Sequence, residues 1–525
     1  MTARSLTVGA ASYPLVLPSI RDPRLHVASV IISVHVLGQV ALGFRVSVPQ
    51  ILAAILTCAI LEIALTFRSA KAFVWPASAM LTGSGVALIL RVVGTQPGDH
   101  WTFDSWWIYA GVAGLSLLSK YVIRYRGSHV FNPSNLGLVV AFVVLGSSRV
   151  EPLDFWWAPL GLPMVAAYAV ILVGGALITR RLKLLALAAT FWLGLASLLG
   201  LLAASGHCMT ANWSFAPVCG FDFWRVIVTS PEVMIFLFFM ITDPKTVPTG
   251  RVGRVAFGLL VAAASVLLMA PQTDEFGTKV GLLSGLVLMC AVRPLLDRVL
   301  PEARSTADDL RPFARRLLIG GPEPARGGRV AARAAILTLA VVLLGTTIVV
   351  AGNPARGLVV PDVVEALGRP PAAIDPATLP AITVGQDVID FDQRLAGPGM
   401  ERVVVTLAQN LELENQALLR HDPAILTAVD HGDRLIEMQA RLAAEAGGQI
   451  VISHYRFDAI DASLLVPFGR QTGLSIGLAG RGTVVQEVRD ASGALLSSTS
   501  SPFALTFAVR QATGARWLNV AVLPH

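Results

Sequence analysis

Two segments of the chain place a helix-capping side chain directly before a proline, inside strongly apolar sequence. The first is Asn132-Pro133 in "SHVFNPSN" and the second is Asp243-Pro244 in "MITDPKTVPTG". Asn and Asp are preferred N-cap residues, and proline suits the first helical position because its missing N–H would be unpaired there anyway. We therefore predict that a helix begins at each pair. Free N–H groups at such helix starts attract anions and carbonyl oxygens, whereas interfacial capping without a ligand is the alternative for either segment alone.

Basic residues flank both segments. They are Lys120, Arg124, Arg126, Lys245 and Arg251. One interpretation is that these cations neutralise a bound phosphate at the helix starts. The other is that they only fix the orientation of the chain in a membrane, since Lys and Arg accumulate in cytoplasmic loops.

Two ionisable residues, Glu62 and His35, lie inside apolar runs. An ionisable group in lipid costs about 3 kcal/mol or more unless it is paired, so a function is a reasonable expectation. Glu62 is a candidate for a proton or ion step, with Arg91 as a candidate partner, and a structural pair with an Arg or a His is the alternative. A haem site is not expected, because His35 has no evident partner on a facing helix.

The four cysteines fall into two classes. Cys58 and Cys290 lie inside apolar runs and are expected to behave as small hydrophobes. Cys208 and Cys219 share one loop. In an extracytoplasmic loop a disulfide between them is plausible, and two free buried thiols are the alternative. The sequence has no C-x-x-C, so an iron–sulfur or zinc site within this chain is not expected.

The composition is typical of a membrane protein joined to a soluble part. Of the 525 residues, 54% are hydrophobic and 14% are charged, whereas soluble domains carry roughly a quarter charged residues. From residue 352 onward the chain has 13 Arg, no Lys and 18 acidic residues, a net charge of −5, which leaves +12 for the preceding part. The basic residues of that part stand between apolar runs, so the positive charge indicates membrane topology and not nucleic-acid binding.

Apolar runs predict eleven membrane spans, since a span needs about 20 apolar residues. The runs are 27–44, 51–67, 73–94, 107–123, 132–147, 160–179, 184–205, 229–242, 252–270, 277–293 and 332–351. With the N-terminus inside, the basic loops all fall on the inner side, and the Trp pairs at 106–107 and 156–157 form an outer aromatic belt. We therefore expect a multi-pass protein of a bacterial inner (plasma) membrane, with its C-terminal domain outside.

Composition shifts divide the chain into six parts. They are a cytoplasmic N-terminus (1–26), a ten-helix membrane domain (27–293), a basic cytoplasmic loop (294–331), an eleventh transmembrane helix (332–351), a linker (352–382) and an extracytoplasmic domain (383–525). Ten spans form two groups of five with opposite orientation, because five is odd. Inverted repeats of this kind place their working site at the repeat interface, in broken helices.

The last domain combines helical periodicity with a run of strands. Helical spacing extends from about residue 400 to 446, and strand-like segments follow, ending in one that contains Trp517. This order predicts an α+β domain and resembles the nuclear-transport-factor-2-like (NTF2-like) fold. Its His residues are scattered without metal-ligand spacing, so we expect a docking module for a partner protein, with an apolar ligand as the alternative.

Three segments carry a resemblance to a known family. They are "SKYVIRYRGSHVFNPSNLGLVVAF" (119–142), "FFMITDPKTVPTGRVGRVAFG" (238–258) and "TGSGVALIL" (82–90). They resemble the signature segments of the NqrB/RnfD family, which comprises the B subunit of the sodium-pumping NADH:quinone reductase and the D subunit of the Rnf electron-transport complex. The resemblance covers about residues 20–300, and UnbU-type members are the nearest in organisation.

The resemblance implies electron transfer through membrane-bound flavin, FMN or riboflavin. It implies a fold of two inverted five-helix repeats related to urea-transporter-type channels. It also implies that the motif residues line a flavin cavity: Gly127, Asn132, Pro133, Thr242, Asp243, Pro244, Thr246 and Pro248. Under the resemblance, the basic residues that flank the motifs either neutralise an FMN phosphate or only hold the chain's orientation: Lys120, Arg124, Arg126, Lys245 and Arg251.

One feature of the family is missing. Its members attach FMN covalently through a Thr in an S/T-G-A-T motif, which should fall in the outer loop at 206–225. That loop reads "GHCMTANWSFAPVCGFDFWR", and no S-G-A-T occurs in it or elsewhere. Thr210 is a loose candidate without the motif around it, so we expect non-covalent flavin or a scaffold that has lost the cofactor.

Two functions of different classes follow. In the first, the chain is an integral membrane subunit of an electron-transport complex that passes electrons through non-covalent flavin, with other redox subunits and a quinone as candidate partners. In the second, the same fold is a non-redox channel for a small solute or a membrane scaffold. The retained motifs favour the first function, and the missing S-G-A-T and Cys ligands favour the second.

Overall fold

The computed structural model describes residues 2–8, 11–92, 94–96, 98–152, 161–211, 213–301, 303, 305, 308–319, 327–356, 360–374, 378–444, 448–465, 474–512 and 516–524. The chain divides into two compact units. The larger comprises Met1–His207, Cys219–Gln272 and Phe276–Pro354, and the smaller comprises Cys208–Val218, Thr273–Glu275 and Ala355–His525. The predicted Trp pair at 156–157 lies outside the described residues.

The larger unit is mainly helical. Its first part contains α1 (Pro23–Val40), α2 (Val48–Ala70), α3 (Ala77–Ile89), α4 (Trp106–Val122) and α5 (Pro133–Leu145). Its second part contains α6 (Leu162–Arg181), α7 (Leu185–Ala204), α8 (Gly220–Thr229), α9 (Pro231–Ile235), α10 (Arg251–Met269), α11 (Glu275–Val299), α12 (Leu310–Ile319), α13 (Gly327–Ala351) and α14 (Asn353–Arg356). A π-helical turn, Phe236–Met240, follows α9 without a break.

Short strands precede or connect these helices along the chain, and those within Cys208–Val218 belong to the smaller unit. The short strands are β1 (Thr2–Val8), β2 (Ala11–Leu17), β3 (Phe73–Val74), β4 (Leu90–Val92), β5 (Arg124–Tyr125), β6 (Ser128–His129), β7 (Val150–Pro152), β8 (Cys208–Met209) and β9 (Val218–Cys219). The β1–β2 hairpin lies within residues 1–26, for which the sequence predicted only a cytoplasmic N-terminus. β4 pairs antiparallel with β7, and β5 pairs antiparallel with β6.

Six helices among the described residues are long and apolar enough to cross a membrane. They are Val48–Ala70, Leu162–Arg181, Leu185–Ala204, Gly220–Met240, Arg251–Met269 and Glu275–Val299. Shorter apolar helices are Ala77–Ile89, Pro133–Leu145 and Ala335–Ala351. This pattern agrees with the prediction of a polytopic helical membrane protein.

Two predicted spans are helices too short to cross a bilayer. α3 and α5 have 13 residues each, which corresponds to about 20 Å against a hydrocarbon core of about 30 Å. α3 continues directly into β4, and β7 lies a short distance beyond α5, so the two helices end beside a shared pair of strands. The pairing satisfies the backbone groups that a broken helix leaves free in an apolar surrounding.

Other predicted boundaries differ from the structure. The span predicted at 229–242 begins at Gly220, because Phe223, Val226 and Ile227 of α8 turn one apolar face into the interior, so the loop predicted at 206–225 is shorter. The basic loop predicted at 294–331 contains the end of α11, all of α12 and the start of α13.

The smaller unit has a five-stranded sheet and a group of helices. Its strands are β10 (Ala381–Val384), β11 (Ile450–Leu465), β12 (Ser475–Arg489), β13 (Leu495–Gln511) and β14 (Trp517–Pro524), in that spatial order. Its helices are α15 (Val363–Leu367), α16 (Gln386–Phe391), α17 (Pro398–Arg420), α18 (Pro423–Val429) and α19 (Gly432–Ala444). β10 pairs parallel with β11, and the remaining pairs are antiparallel. The prediction of a C-terminal domain rich in strands is confirmed.

The core of the smaller unit includes residues that the sequence analysis placed elsewhere. The ring of Phe215, from the segment between α7 and α8, packs edge-to-face on Phe391 with centroids 4.7 Å apart, and its centroid is 5.4 Å from that of Trp517. Val363 is buried in the predicted linker 352–382, which therefore contains packed structure. The unit is discontinuous in sequence.

Candidate functional site

A tight hairpin leads into the first motif. β5 and β6 are joined by Arg126 and Gly127, which have positive φ angles of 47° and 78°. Two successive positive φ angles are typical of the two-residue turns that connect short antiparallel strands, and glycine adopts them without a steric penalty. The motif glycine is therefore explained by the turn.

Asn132 is the N-cap of α5, as predicted. Its Oδ1 accepts hydrogen bonds from the backbone N of Asn135 at 3.2 Å and from the hydroxyl of Ser134 at 2.9 Å. Its Nδ2 donates to the carbonyl of Met240 at 3.1 Å. One buried side chain thus caps its own helix and also joins the two motif segments.

The bond to Met240 has a specific cause. In an α-helix the Met240 carbonyl would accept from the N–H of residue 244, but that residue is Pro244 and has no N–H. A buried carbonyl without a partner is costly, and the Asn132 amide supplies the missing donor. The proline of one motif and the asparagine of the other are therefore complementary.

The second motif does not open a helix, and this prediction was wrong. Residues 241–250 form turns, in which Asp243 Oδ1 accepts from the backbone N of Lys245 at 3.0 Å. A helix starting at Pro244 would reach Pro248 within its first turns, and a proline there removes a backbone donor and disfavours the α conformation of Val247. The Asp side chain caps a turn instead.

A hydrogen-bonding contact between a histidine and an aspartate links the two segments a second time. Nε2 of His129 lies 3.0 Å from Oδ2 of Asp243, and the His129 side chain is buried. The two residues are 114 positions apart in the sequence. Together with the Asn132 bond, this pair brings the two predicted motifs to one place.

A basic cavity of about 90 Å³ lies at this junction. It is lined by Lys120, Tyr121, Arg124, Gly127, Ser128, His129 and Lys245. Three of these side chains carry permanent positive charge, and none of them is acidic. An anionic group is the ligand that such a lining favours.

Glu62 lies beside this cavity and pairs with Lys120, not with Arg91. Its carboxylate oxygens are 3.1 and 3.3 Å from Lys120 Nζ, and the hydroxyl of Tyr121 donates to it. Arg91 forms a buried pair with Glu151, which faces it across the β4–β7 strands. The pairing expected between Glu62 and Arg91 is therefore corrected.

The predicted cavity residues separate into two groups. Lys120, Arg124, Gly127 and Lys245 line the cavity, whereas the other predicted residues do not: Arg126, Asn132, Pro133, Thr242, Asp243, Pro244, Thr246, Pro248 and Arg251. Arg126 is exposed and its guanidinium lies over the ring of Tyr125. Thr242 and Thr246 are buried and donate to backbone carbonyls of their own segment. None of these residues lines the cavity directly. Asn132 and Asp243 instead join the two segments that carry the lining residues.

His129, Tyr121 and Ser128 are lining residues that the sequence analysis did not assign. His129 was visible in the first segment, three positions before Asn132. Its partner could not be read from sequence, since the pairing depends on where the second segment turns.

The remaining candidates lie elsewhere. Cys208 and Cys219 are disulfide-bonded, and Cys58 and Cys290 are free and buried. The backbone of Thr210 forms an isolated β-bridge with that of Asp274, and the Thr210 hydroxyl is 3.4 Å from the carbonyl oxygen of Thr273. Within the described part of the chain no group of three His, Cys, Asp or Glu side chains is arranged to hold a metal ion.

A second, smaller cavity of about 40 Å³ has mostly apolar walls. It lies between the end of α3 and the start of α11, where Lys279 Nζ is 3.6 Å from Glu232 Oε1. Asn135 donates to the carbonyl of Leu283, a residue of its wall, at 3.0 Å. The first turn of α5 is therefore hydrogen-bonded to a residue of this cavity's wall.

No protein-family model matches the chain, and a search of curated proteins finds no significant similarity. The resemblance to the NqrB/RnfD family accordingly depends on the motif residues alone.

Proposed function

We propose that the larger unit binds FMN non-covalently, with its phosphate in the basic cavity, and acts as the membrane subunit of an electron-transport complex. The observation that carries this proposal is the convergence of the two motif segments. They are more than a hundred residues apart, yet the Asn132–Met240 bond and the His129–Asp243 pair hold them at one basic cavity.

The chemistry of the cavity fits a phosphate group. Lys120, Arg124 and Lys245 supply positive charge, and the β5–β6 turn with Gly127 adds backbone groups to the wall. Charge-assisted hydrogen bonds to phosphate are about twice as strong as neutral ones. The same lining offers no comparable partner for riboflavin, which has no phosphate, so FMN is the flavin that we propose.

The protein's part in this function is positioning. A bound flavin supplies the electron-carrying chemistry, and the chain sets where it sits and which charges surround it. His129 is held by Asp243, so its ring keeps a fixed orientation at the cavity wall. Glu62, hydrogen-bonded by Lys120 and Tyr121, provides a carboxylate beside the cavity.

Helix packing supports the proposal of two five-helix repeats. α2 packs against α3 and α4, and α7 packs against α8 and α10, the helices at corresponding positions of the second half. Gly137 of α5 stands against Ser116 of α4, and Gly285 of α11 stands against Ser265 of α10. We propose an inverted-repeat frame of ten helices with an eleventh span in α13, a cytoplasmic N-terminus and an extracytoplasmic, NTF2-like docking domain.

The first experiment is an absorption spectrum of the detergent-purified full chain, before and after acid precipitation. We expect flavin bands that move to the supernatant, where chromatography identifies FMN. Flavin in the pellet would show covalent attachment and contradict the non-covalent site. A colourless, folded protein would contradict flavin binding and favour the channel or scaffold.

A pair of variants tests whether the basic cavity is the site. Arg124→Gln with Lys245→Gln removes two cations from the wall, and we expect FMN affinity to fall at least about tenfold, because each charge-assisted contact contributes about 1.5–3 kcal/mol. The matched control is Arg68→Gln with Arg180→Gln, which removes two exposed cations that do not line the cavity. Equal FMN content in both double variants would place the flavin elsewhere.

A further inference from the structure

An amphipathic segment outside the candidate site carries a separate inference. α12 (Leu310–Ile319) has ten residues and the sequence LRPFARRLLI. With helical spacing, Leu310, Phe313 and Ala314 fall on one face, whereas Arg311 and Arg315 fall on the other. Both arginines are exposed, and Leu310 is 44% exposed despite being apolar.

The position of α12 is fixed by a side chain that precedes it. Asp308 Oδ1 accepts from the backbone N of Val252 at 3.0 Å, in the first turn of α10. α10 is one of the helices apolar enough to span a membrane, and Arg251 is its first residue. α12 is thereby tied to the level at which α10 would enter the bilayer.

Length and charge indicate how α12 lies relative to the bilayer. Ten residues make a helix of about 15 Å, too short to cross a bilayer, and a two-faced basic helix of this kind lies in the membrane interface. Residues 293–333 contain nine Arg against five acidic residues, so the surrounding segment is basic as well. Uncompensated arginines beside headgroups attract anionic lipids.

We infer that α12 is an interfacial helix that binds anionic phospholipid headgroups through Arg311 and Arg315. The part of its apolar face that α10 and α13 leave exposed, which includes Leu310, would lie against the acyl boundary, and its arginines would contact headgroup phosphates. This inference does not depend on flavin binding, because none of its residues lines the basic cavity.

The test uses the purified full chain in neutral detergent, with phosphatidylglycerol or phosphatidylcholine added to the micelles. We expect phosphatidylglycerol to raise the thermal unfolding temperature more than phosphatidylcholine does, and native mass spectrometry to detect retained phosphatidylglycerol. Arg311→Gln with Arg315→Gln should reduce both effects by about half or more, since each cation near the surface contributes separately to the attraction.

The matched control is Arg402→Gln with Arg420→Gln, which removes the same charge from exposed positions of α17 in the smaller unit. It should keep the phosphatidylglycerol effect, and all three proteins should unfold at similar temperatures without added lipid. The inference is overturned if both lipids act alike on the unsubstituted chain, or if the two double variants lose the effect equally.

Discussion

At the scale of single residues, the His129–Asp243 pair is the contact whose energy is most directly testable. The pair is largely buried and joins distant segments, so removing one partner leaves the other desolvated. We expect His129→Gln and Asp243→Asn each to lower the free energy of unfolding by about 1–3 kcal/mol. In a double-mutant cycle, measured by thermal unfolding in detergent, the double variant should lose less than the sum.

The exposed pair Asp222–Arg225 is the control for this cycle. Its atoms are 3.2 Å apart, but its side chains are 70% and 48% exposed. Exposed pairs contribute about 0–1 kcal/mol, so Arg225→Gln should change little. Additive losses in the His129–Asp243 cycle would show that the two residues stabilise the fold independently.

Asp430 gives a second prediction at this scale, in the smaller unit. Burial and the neighbouring Glu414 raise the pKa of Asp430 well above its ordinary value, although Arg434 acts in the opposite direction. The folded state therefore binds this proton more tightly than the unfolded chain, so stability is present at low pH and is lost as the pH rises. Asp430→Asn should raise the unfolding temperature of this unit more at pH 8 than at pH 5.

Asp490 is the control carboxyl, because its pKa is shifted in the opposite direction. It is only partly buried, and hydrogen bonds from Ser492 and from backbone N–H groups lower its pKa. The stability that ionised Asp490 contributes is present at neutral pH and is lost as the pH falls. Asp490→Asn should therefore not raise the unfolding temperature more at pH 8 than at pH 5. A parallel pH response of the two variants would contradict the buried-acid explanation.

At the scale of elements, the central feature is the end of the helical segment after the π-helical turn Phe236–Met240. Pro244 removes the donor that Met240 would use in a continuous helix, and Asn132 replaces it. We expect Asn132→Leu to cost about 2–4 kcal/mol, because it removes a helix cap and leaves a buried carbonyl unpaired.

A second substitution tests that explanation. Pro244→Ala restores a backbone N–H at the position that Met240 requires, so it should recover part of the loss when combined with Asn132→Leu. Thermal unfolding and FMN content measure the recovery. If Pro244→Ala is equally harmful with and without Asn132, the two motifs are not complementary in the way that the structure indicates.

At the scale of the whole molecule, the smaller unit depends on a segment far away in sequence. Phe215 packs on Phe391 and Trp517 within that unit. Phe215→Ala should destabilise the unit by about 3–5 kcal/mol, the usual cost of truncating a buried aromatic side chain. Hydrogen exchange in β14 would detect the change.

Phe221→Ala is the control, since this side chain is 70% exposed and belongs to α8 of the larger unit. It should leave exchange in β14 unaltered. An equal response to both substitutions would show that the segment between α7 and α8 does not contribute specifically to the smaller unit.

The sequence by itself determined the features that follow from local composition. Apolar length predicted membrane helices, alternation predicted the strands of the last domain, and the capping preference of Asn132 placed the start of α5 correctly. These are properties of neighbouring residues, and so a short stretch of chain contains the information for them.

The tertiary structure alone decided which distant groups meet. Glu62 pairs with Lys120 because α2 and α4 pack side by side, and Asp243 caps a turn because His129 and the following prolines hold it there. Phe215 joins a core whose other members lie more than a hundred residues later. Long-range partners depend on how elements pack, and no local pattern in one sequence specifies that packing.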